Sequence, residues 1–176
     1  MYGAPEEEAR RMTRWWHASG AIAELEPLAG AVEELGALHE EGWDFVPITS
    51  RQSEFRRFTT YSLMKHAKGI IDPDDAFFTE FYGANRVQQV GSSKAPIYRR
   101  LGCVAAIDDF VKHCEGAANP VLPDGWLAFE PLPAFLIGDE PWNQADRLSS
   151  GILRCNDWQE FGANFHTHVA ATLRAA

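Results

Sequence analysis

The sequence predicts an α/β fold built on a mainly parallel sheet, and three observations favour it. Apolar runs of strand length alternate with segments of helical periodicity along the 176 residues. Such alternation is typical of right-handed βαβ units. Several of these runs end at polar side chains. This is typical of parallel strands whose carboxyl ends form a ligand site. Hydrophobic residues make up 45% of the chain, which suffices for the core of one domain.

Composition and charge exclude several functional classes. The formal net charge of −9 does not supply the basic face that long nucleic acids require, although a local basic cluster can bind a small phosphorylated ligand. The N-terminus lacks the apolar core of a signal peptide, and no apolar run reaches the about 18 residues expected of a membrane span. Cys103, Cys114 and Cys155 have no framework spacing, which favours reduced, buried thiols in the cytoplasm or another reducing intracellular compartment.

Two helices are expected before the first strand. The first carries three glutamates at its start and basic residues later, an order that suits the helix dipole. Met12, Trp15 and Trp16 are expected to form its apolar face. The second lies within residues 25–42, where apolar residues recur at helical spacing and a glycine provides the stop.

Strand and helix predictions alternate through the rest of the chain. Apolar runs predict strands within segments 43–50, 85–91, 103–110, 134–143 and 151–161. Periodicity predicts helices within segments 54–69, 93–102, 111–119 and 163–176, the second of them behind a serine cap. Segment 70–83 is predicted to be a loop with short pieces of structure, and proline and glycine make 120–133 an irregular loop or small insertion.

Polar or turn-forming residues lie at the ends of three of the predicted strands. They are Thr49 with Ser50, Asp108 with Asp109, and Gly138 with Asp139. Lys94 precedes the helix that leads into the aspartate strand. Because the carboxyl ends of parallel strands meet at one edge of a sheet, Thr49, Lys94 and the aspartate pair are expected around one anion-sized hollow. Hydroxyl donors and a lysine charge suit the negative oxygens of a phosphoryl group.

This set of residues resembles the motifs of the haloacid dehalogenase (HAD-like) superfamily of phosphohydrolases. "FVPITSR" matches the second motif, "SSKAPIYRRLG" the third and "VAAIDDF" the fourth. "FLIGDEPWN" followed by "RCNDWQEF" is similar to the 5′-nucleotidase-like branch. The resemblance covers roughly residues 20–165, and the order and spacing of the motifs carry it.

The resemblance implies a fold and an activity. The fold is a Rossmann-like three-layer sandwich that forms a single domain over residues 1–176. Residues 1–29 would be the remnant of a helical cap segment, and residues 30–176 would be the core, with a Pro/Gly-rich insertion near 119–133. The activity is hydrolysis of a phosphate monoester, with a small phosphorylated metabolite or a nucleotide as the ligand.

The resemblance also implies roles for particular residues. Thr49, Ser50, Arg51 and Lys94 would bind the phosphate, and Thr49 and Lys94 would take part in catalysis. The aspartates Asp108 and Asp109 would hold Mg²⁺, since carboxylate oxygens are the ligands that this ion prefers.

The first motif of the superfamily is not recognisable in the chain. That motif is an apolar strand ending Asp-x-Asp, and its first aspartate attacks phosphorus. No aspartate precedes Asp44. The resemblance places this strand between the strand that ends at Thr49 and the strand that ends at Asp108. Three alternatives are open: the strand belongs to a longer form of the chain, a protein partner or a second copy completes the sheet, or the sheet closes without it. The chain as it stands is therefore expected to be inactive, with one of the usual Mg²⁺ anchors lost.

Two other functional classes remain open. The first is a non-catalytic structural or interaction subunit with a degenerate HAD fold. The second is a generic Rossmann-like nucleotide binder, which is less favoured because the sequence has no glycine-rich phosphate loop.

Several chemically reactive residues are expected to be structural. His113 is expected on a helix surface, and His166 and His168 lie two apart, which places them on different helix faces. Residues 72–75, "DPDD", are predicted to form a turn and not to be a nucleophile motif. The tryptophans expected in the core are Trp15, Trp16, Trp43 and Trp158.

Overall fold

The computed structural model has a mixed α/β architecture with short parallel sheets, which confirms the predicted fold class at that level. It describes residues 5–79, 94–120, 130–141, 143–145 and 147–175. The chain divides into two compact units. Unit 1 comprises Met1–Leu28 and Leu35–Val87, and unit 2 comprises Ala29–Glu34 and Gln88–Ala176. The predicted boundaries of the helical remnant and of the core stay predictions.

The helices occur close to the predicted positions. In chain order they are α1 (Glu6–Ala18), α2 (Ala31–Glu40), α3 (Arg56–His66), α4 (Ala95–Leu101), α5 (Val111–Ala118), α6 (Trp158–Phe165) and α7 (Ala171–Ala175). A π-helical segment joins the last two. The closing helix begins five residues earlier than predicted because Asp157 caps it, its carboxylate accepting the Glu160 N–H at 2.8 Å. None of the helices in the described part of the chain combines the length and apolar character that crossing a bilayer requires.

Unit 1 contains a short parallel pair of strands. Strand β1 (Ile48–Thr49) pairs with β2 (Phe77–Phe78), so that Thr49 lies opposite Phe78. The strand predicted over 43–50 is therefore much shorter than expected. Proline has no N–H to donate to a ladder, and β1 begins immediately after Pro47.

The apolar face predicted for α1 is wrong. Trp15 is 70% exposed and Met12 is also exposed, whereas His17 is buried. Residues two apart on a helix point in roughly opposite directions, so burying His17 turns Trp15 outward. The buried imidazole lies 2.8 Å from the Gln52 side chain, measured from Nδ1 to Oε1. A side-chain hydrogen bond, not the tryptophan, thus orients α1.

Unit 2 is built on a three-stranded parallel sheet. Strands β3 (Ala106–Asp108), β4 (Ala134–Ile137) and β5 (Ile152–Cys155) lie in the order β3-β4-β5. Every residue of the central strand β4 is buried, as expected for a parallel strand covered on both faces. Phe135 packs edge-to-face on Phe161 of α6, with ring centroids 5.2 Å apart. This packing fixes the carboxyl ends of all three strands at one edge.

Some predictions fall on residues outside the described ranges. They are the strand within 85–91, the serine cap at position 93 and most of the loop within 120–133. In the described part, Lys94 directly precedes α4, and Gly102 ends that helix with a φ of +64°.

Candidate functional site

Lys94 and Asp108 lie together at the carboxyl end of β3. Asp108 is the last residue of the strand, and Lys94 immediately precedes α4. The Lys94 ammonium donates to Asp108 Oδ2. Both side chains are buried, with that of Asp108 only 6% exposed. Two residues that the sequence places 14 positions apart thus form one ion pair, and removing one partner of such a buried pair is costly.

Asp108 accepts two further donors. The Phe110 backbone N–H donates to Oδ1 at 3.0 Å, and His113 Nδ1 lies 3.2 Å from both carboxylate oxygens. Burial alone would raise the pKa of Asp108. The His113 hydrogen bond and the Lys94 charge outweigh that effect and lower the pKa to about 2. The carboxylate is therefore charged throughout the physiological pH range.

The position predicted for His113 is wrong, because its imidazole is buried and not on a helix surface. Helix α5 starts three residues after the last residue of β3, which places its first turn over the end of that strand. The His113 ring packs edge-to-face on Phe110, with centroids 5.2 Å apart. The available sequence signal was Ala117, a buried apolar residue four positions later and therefore on the same face of the helix.

The described residues do not fit the Mg²⁺ ion that the resemblance implies. Mg²⁺ requires near-octahedral oxygen coordination. Both oxygens of Asp108 already face nitrogen donors, whereas Asp109 is exposed. Within the described ranges, no group of three or more His, Cys, Asp or Glu residues could hold a metal. Magnesium binding by Asp108 and Asp109 stays a prediction that this geometry does not favour.

Thr49, Ser50 and Arg51 lie together at the end of β1 in unit 1. Thr49 Oγ1 accepts the Arg51 backbone N–H at 3.3 Å. The Arg51 guanidinium donates through one nitrogen to Thr59 Oγ1 at 3.0 Å. It forms no ion pair with any residue that the structure describes, and burial lowers the pKa of Arg51 to about 10. Within the described ranges, this partly buried positive charge thus has no counter-ion.

His17 does not add to that charge. Burial lowers the pKa of His17 more than its hydrogen bond with Gln52 raises it, and the Arg51 charge lowers it further. The imidazole is therefore neutral at physiological pH. Arg51 therefore lies near a neutral imidazole, and the Arg56 guanidinium is a second positive charge in this part of unit 1, 4.3 Å from the Phe78 ring.

At the carboxyl end of β4, the third of the predicted polar strand ends, the polar groups hydrogen-bond to one another. Gly138 adopts a φ of +80°, which favours glycine, and Asp139 is 70% exposed. The buried Asn143 amide donates to the carbonyls of Ile137 and Gly138 at 2.9 and 3.1 Å. Arg154 donates to the Gly138 carbonyl and to Asn143. Sequence reasoning did not assign these bridging roles, although Asn143 ends the quoted phrase "GDEPWN".

The structure groups the predicted site residues by unit. In unit 2 it brings together Lys94 and Asp108 and adds His113. In unit 1 it groups Arg51 and Thr49. That the two groups share one hollow stays a prediction.

Comparison with known proteins finds no matching family model, no similar curated protein and no similar solved structure.

Proposed function

We propose that this protein is a relative of the HAD-like phosphohydrolases, in the 5′-nucleotidase-like branch, and that it binds a small phosphate monoester. Its fold would be the Rossmann-like three-layer sandwich of that superfamily. The chain 1–176 does not hydrolyse the ester. The observation that carries the proposal is the Arg51 guanidinium, which is partly buried beside β1 without a described counter-ion.

A charge taken out of water requires a compensating partner. The pKa of Arg51 is lowered by burial, and no acidic group in the described part of the chain offsets that burial. A guanidinium presents several N–H donors in a planar fork that matches the oxygens of a phosphate. Since Thr59 takes one donor, others can face an incoming phosphate. An anionic ligand would therefore stabilise this arrangement.

The position of Arg51 supports a ligand site. Thr49 ends β1, whose partner β2 is parallel, and ligands of parallel sheets bind beyond the carboxyl ends of strands. The Thr49 and Ser50 hydroxyls lie beside Arg51 in the chain and can donate to the same phosphate. Lys94, in unit 2, is the other cation to which the resemblance assigns phosphate binding.

Hydrolysis in this superfamily needs a carboxylate that attacks phosphorus. No aspartate of the sequence precedes Asp44. Asp108 is a poor substitute, because nitrogen donors engage both of its oxygens. The proposal is therefore binding without turnover.

Phosphorus NMR of thymidine 5′-monophosphate tests the binding site. Arg51→Met removes the guanidinium, and Arg57→Met removes an exposed arginine whose guanidinium lies 4.6 Å above the Phe58 ring. A charge-assisted contact is worth about 1.5–3 kcal/mol, so Arg51→Met should weaken binding about 10- to 150-fold. Arg57→Met, with the same change in net charge, should leave the Kd within about twofold. Equal Kd values for the two variants would overturn the proposed site.

Phosphate release tests the absence of turnover. Purified 1–176, supplied with Mg²⁺ and deoxynucleoside monophosphates or p-nitrophenyl phosphate, should release no phosphate above background. Turnover that disappears in Asp108→Asn would contradict the proposed inactivity and make the chain an enzyme.

A non-catalytic interaction subunit is the second candidate, favoured by the exposure of Trp15 and Met12 on α1. Large apolar side chains at a surface often mark a protein interface. Light scattering should then detect a dimer, or a complex with a partner, that Trp15→Ser weakens. A monomer in both proteins at high concentration would count against self-association through α1.

A further inference from the structure

We propose that Asp108 is an anchor for nitrogen donors rather than a magnesium ligand. In this arrangement His113 is a positioning residue, which holds Asp108 and so orients Lys94 without any metal. The inference rests on the proposed function only for the ligand that Lys94 would meet.

The contacts of Asp108 support this role. A carboxylate has about four lone-pair positions on its two oxygens. Lys94 donates to Oδ2, the Phe110 N–H donates to Oδ1, and His113 Nδ1 lies 3.2 Å from both oxygens. All three come from different chain positions and reach the same buried carboxylate. Its hydrogen-bonding capacity is largely used by the protein itself.

A metal ion would have to displace these donors. Mg²⁺ is usually held by one or two carboxylates together with water and a ligand's oxygens, and it gives up its water reluctantly. The Asp108 side chain is only 6% exposed, so little room remains for a hydrated ion. Displacing the Lys94 ammonium would leave a buried positive charge without its carboxylate partner, which is costly. Hydrogen bonding of Asp108 to the nitrogen atoms of Lys94, Phe110 and His113 is therefore more favourable than coordination of a metal ion by Asp108.

The local structure around Phe110 and α5 orients the His113 imidazole toward the Asp108 carboxylate. Phe110 contributes twice, because its backbone N–H donates to Asp108 and its ring packs edge-to-face on the imidazole. The ring contact fixes the plane of the imidazole, and α5 fixes its distance from β3. When His113 and the Phe110 N–H hold the Asp108 carboxylate, Oδ2 faces Lys94. The ion pair with Oδ2 then orients the Lys94 ammonium.

Nitrogen NMR of the His113 imidazole tests the inference without any ligand or activity. In the wild-type protein, millimolar MgCl₂ should leave the Nδ1 resonance unmoved, because the ion does not bind Asp108. Asp108→Asn should shift that resonance, whereas Asp139→Asn, the same change at an exposed aspartate, should not. A magnesium-induced shift of Nδ1 in the wild-type protein would overturn the inference, and that measurement requires no variant to fold.

Mn²⁺ titration followed by electron paramagnetic resonance is the second measurement. The acidic surface can hold Mn²⁺ weakly, so the comparison is between variants. Asp108→Asn and Asp139→Asn should retain equal Mn²⁺ binding. A site that only Asp108→Asn abolishes would assign Asp108 to a metal and refute the proposal.

Two His113 variants separate positioning from packing. His113→Asn keeps an amide donor close to the place of Nδ1, and His113→Phe keeps a ring without a donor. If His113 acts through Asp108, His113→Asn should retain more affinity for thymidine 5′-monophosphate than His113→Phe. The reverse order would show that only the ring matters. If the nucleotide binds neither variant nor the wild-type protein, the proposed function fails, while the NMR and Mn²⁺ results still decide this inference.

Discussion

The buried carboxylate of Asp108 allows a quantitative prediction for Asp108→Asn. The folded protein lowers the pKa of Asp108 from 3.8 to about 2, despite a burial that opposes this change. At about 1.4 kcal/mol per pKa unit, the charged form contributes about 2 kcal/mol to the free energy of unfolding near neutral pH. Asp108→Asn also leaves the Lys94 ammonium buried without its partner, which raises the expected loss to about 2–5 kcal/mol.

The sign of the pH dependence follows from the lowered pKa. The contribution is complete above the unfolded value of 3.8 and is lost as the pH falls through the folded value of about 2. The same linkage leaves about half of this contribution at a pH of about 3 and only a small part of it at a pH of about 2. The difference between wild-type protein and Asp108→Asn should therefore narrow over this range.

Urea unfolding, followed by tryptophan fluorescence and circular dichroism at several pH values, measures that difference. Asp139→Asn is the control, since it removes an exposed carboxylate and should change the free energy of unfolding by less than about 0.5 kcal/mol. If Asp108→Asn were as stable as Asp139→Asn near neutral pH, the buried ion pair would not have the role described here.

Two further predictions concern the other strand ends. Asn143→Ala removes two donated hydrogen bonds and one accepted from Arg154. In urea unfolding it should lower the free energy of unfolding by about 2–4 kcal/mol. A loss as small as that caused by Gln144→Ala, a change at an exposed residue, would contradict this prediction. Arg51→Met replaces a partly buried charge without a described counter-ion, and without phosphate it should unfold at a urea concentration equal to or higher than the wild-type protein. A loss above about 1 kcal/mol would show that Arg51 is paired in the folded protein.

Sequence patterns predicted the parts of the structure that depend on local periodicity. The order of strands and helices in unit 2 follows directly from apolar runs that alternate with helical segments. The contact between Lys94 and Asp108 was expected from their motifs. In an α/β unit the helix runs back along the sheet in the opposite direction to the strand that follows it, so the residue before α4 lies near the residue that ends β3.

The errors lie where tertiary contacts override the pattern. His113 was assigned to a surface because an eight-residue helix does not reveal which face it buries until its angle to β3 is known. Trp15 was assigned to the core as part of an apolar helix face, but that face is exposed, and the buried His17 is hydrogen-bonded to Gln52, 35 residues away. The strand before Thr49 was predicted too long, since its apolar residues continue through Pro47.

A crystal structure grown with thymidine 5′-monophosphate would show where the phosphate binds. We expect phosphate oxygens within hydrogen-bonding distance of the Arg51 guanidinium and the Thr49 hydroxyl. A phosphate bound elsewhere, with Arg51 paired to a carboxylate of the protein, would contradict it.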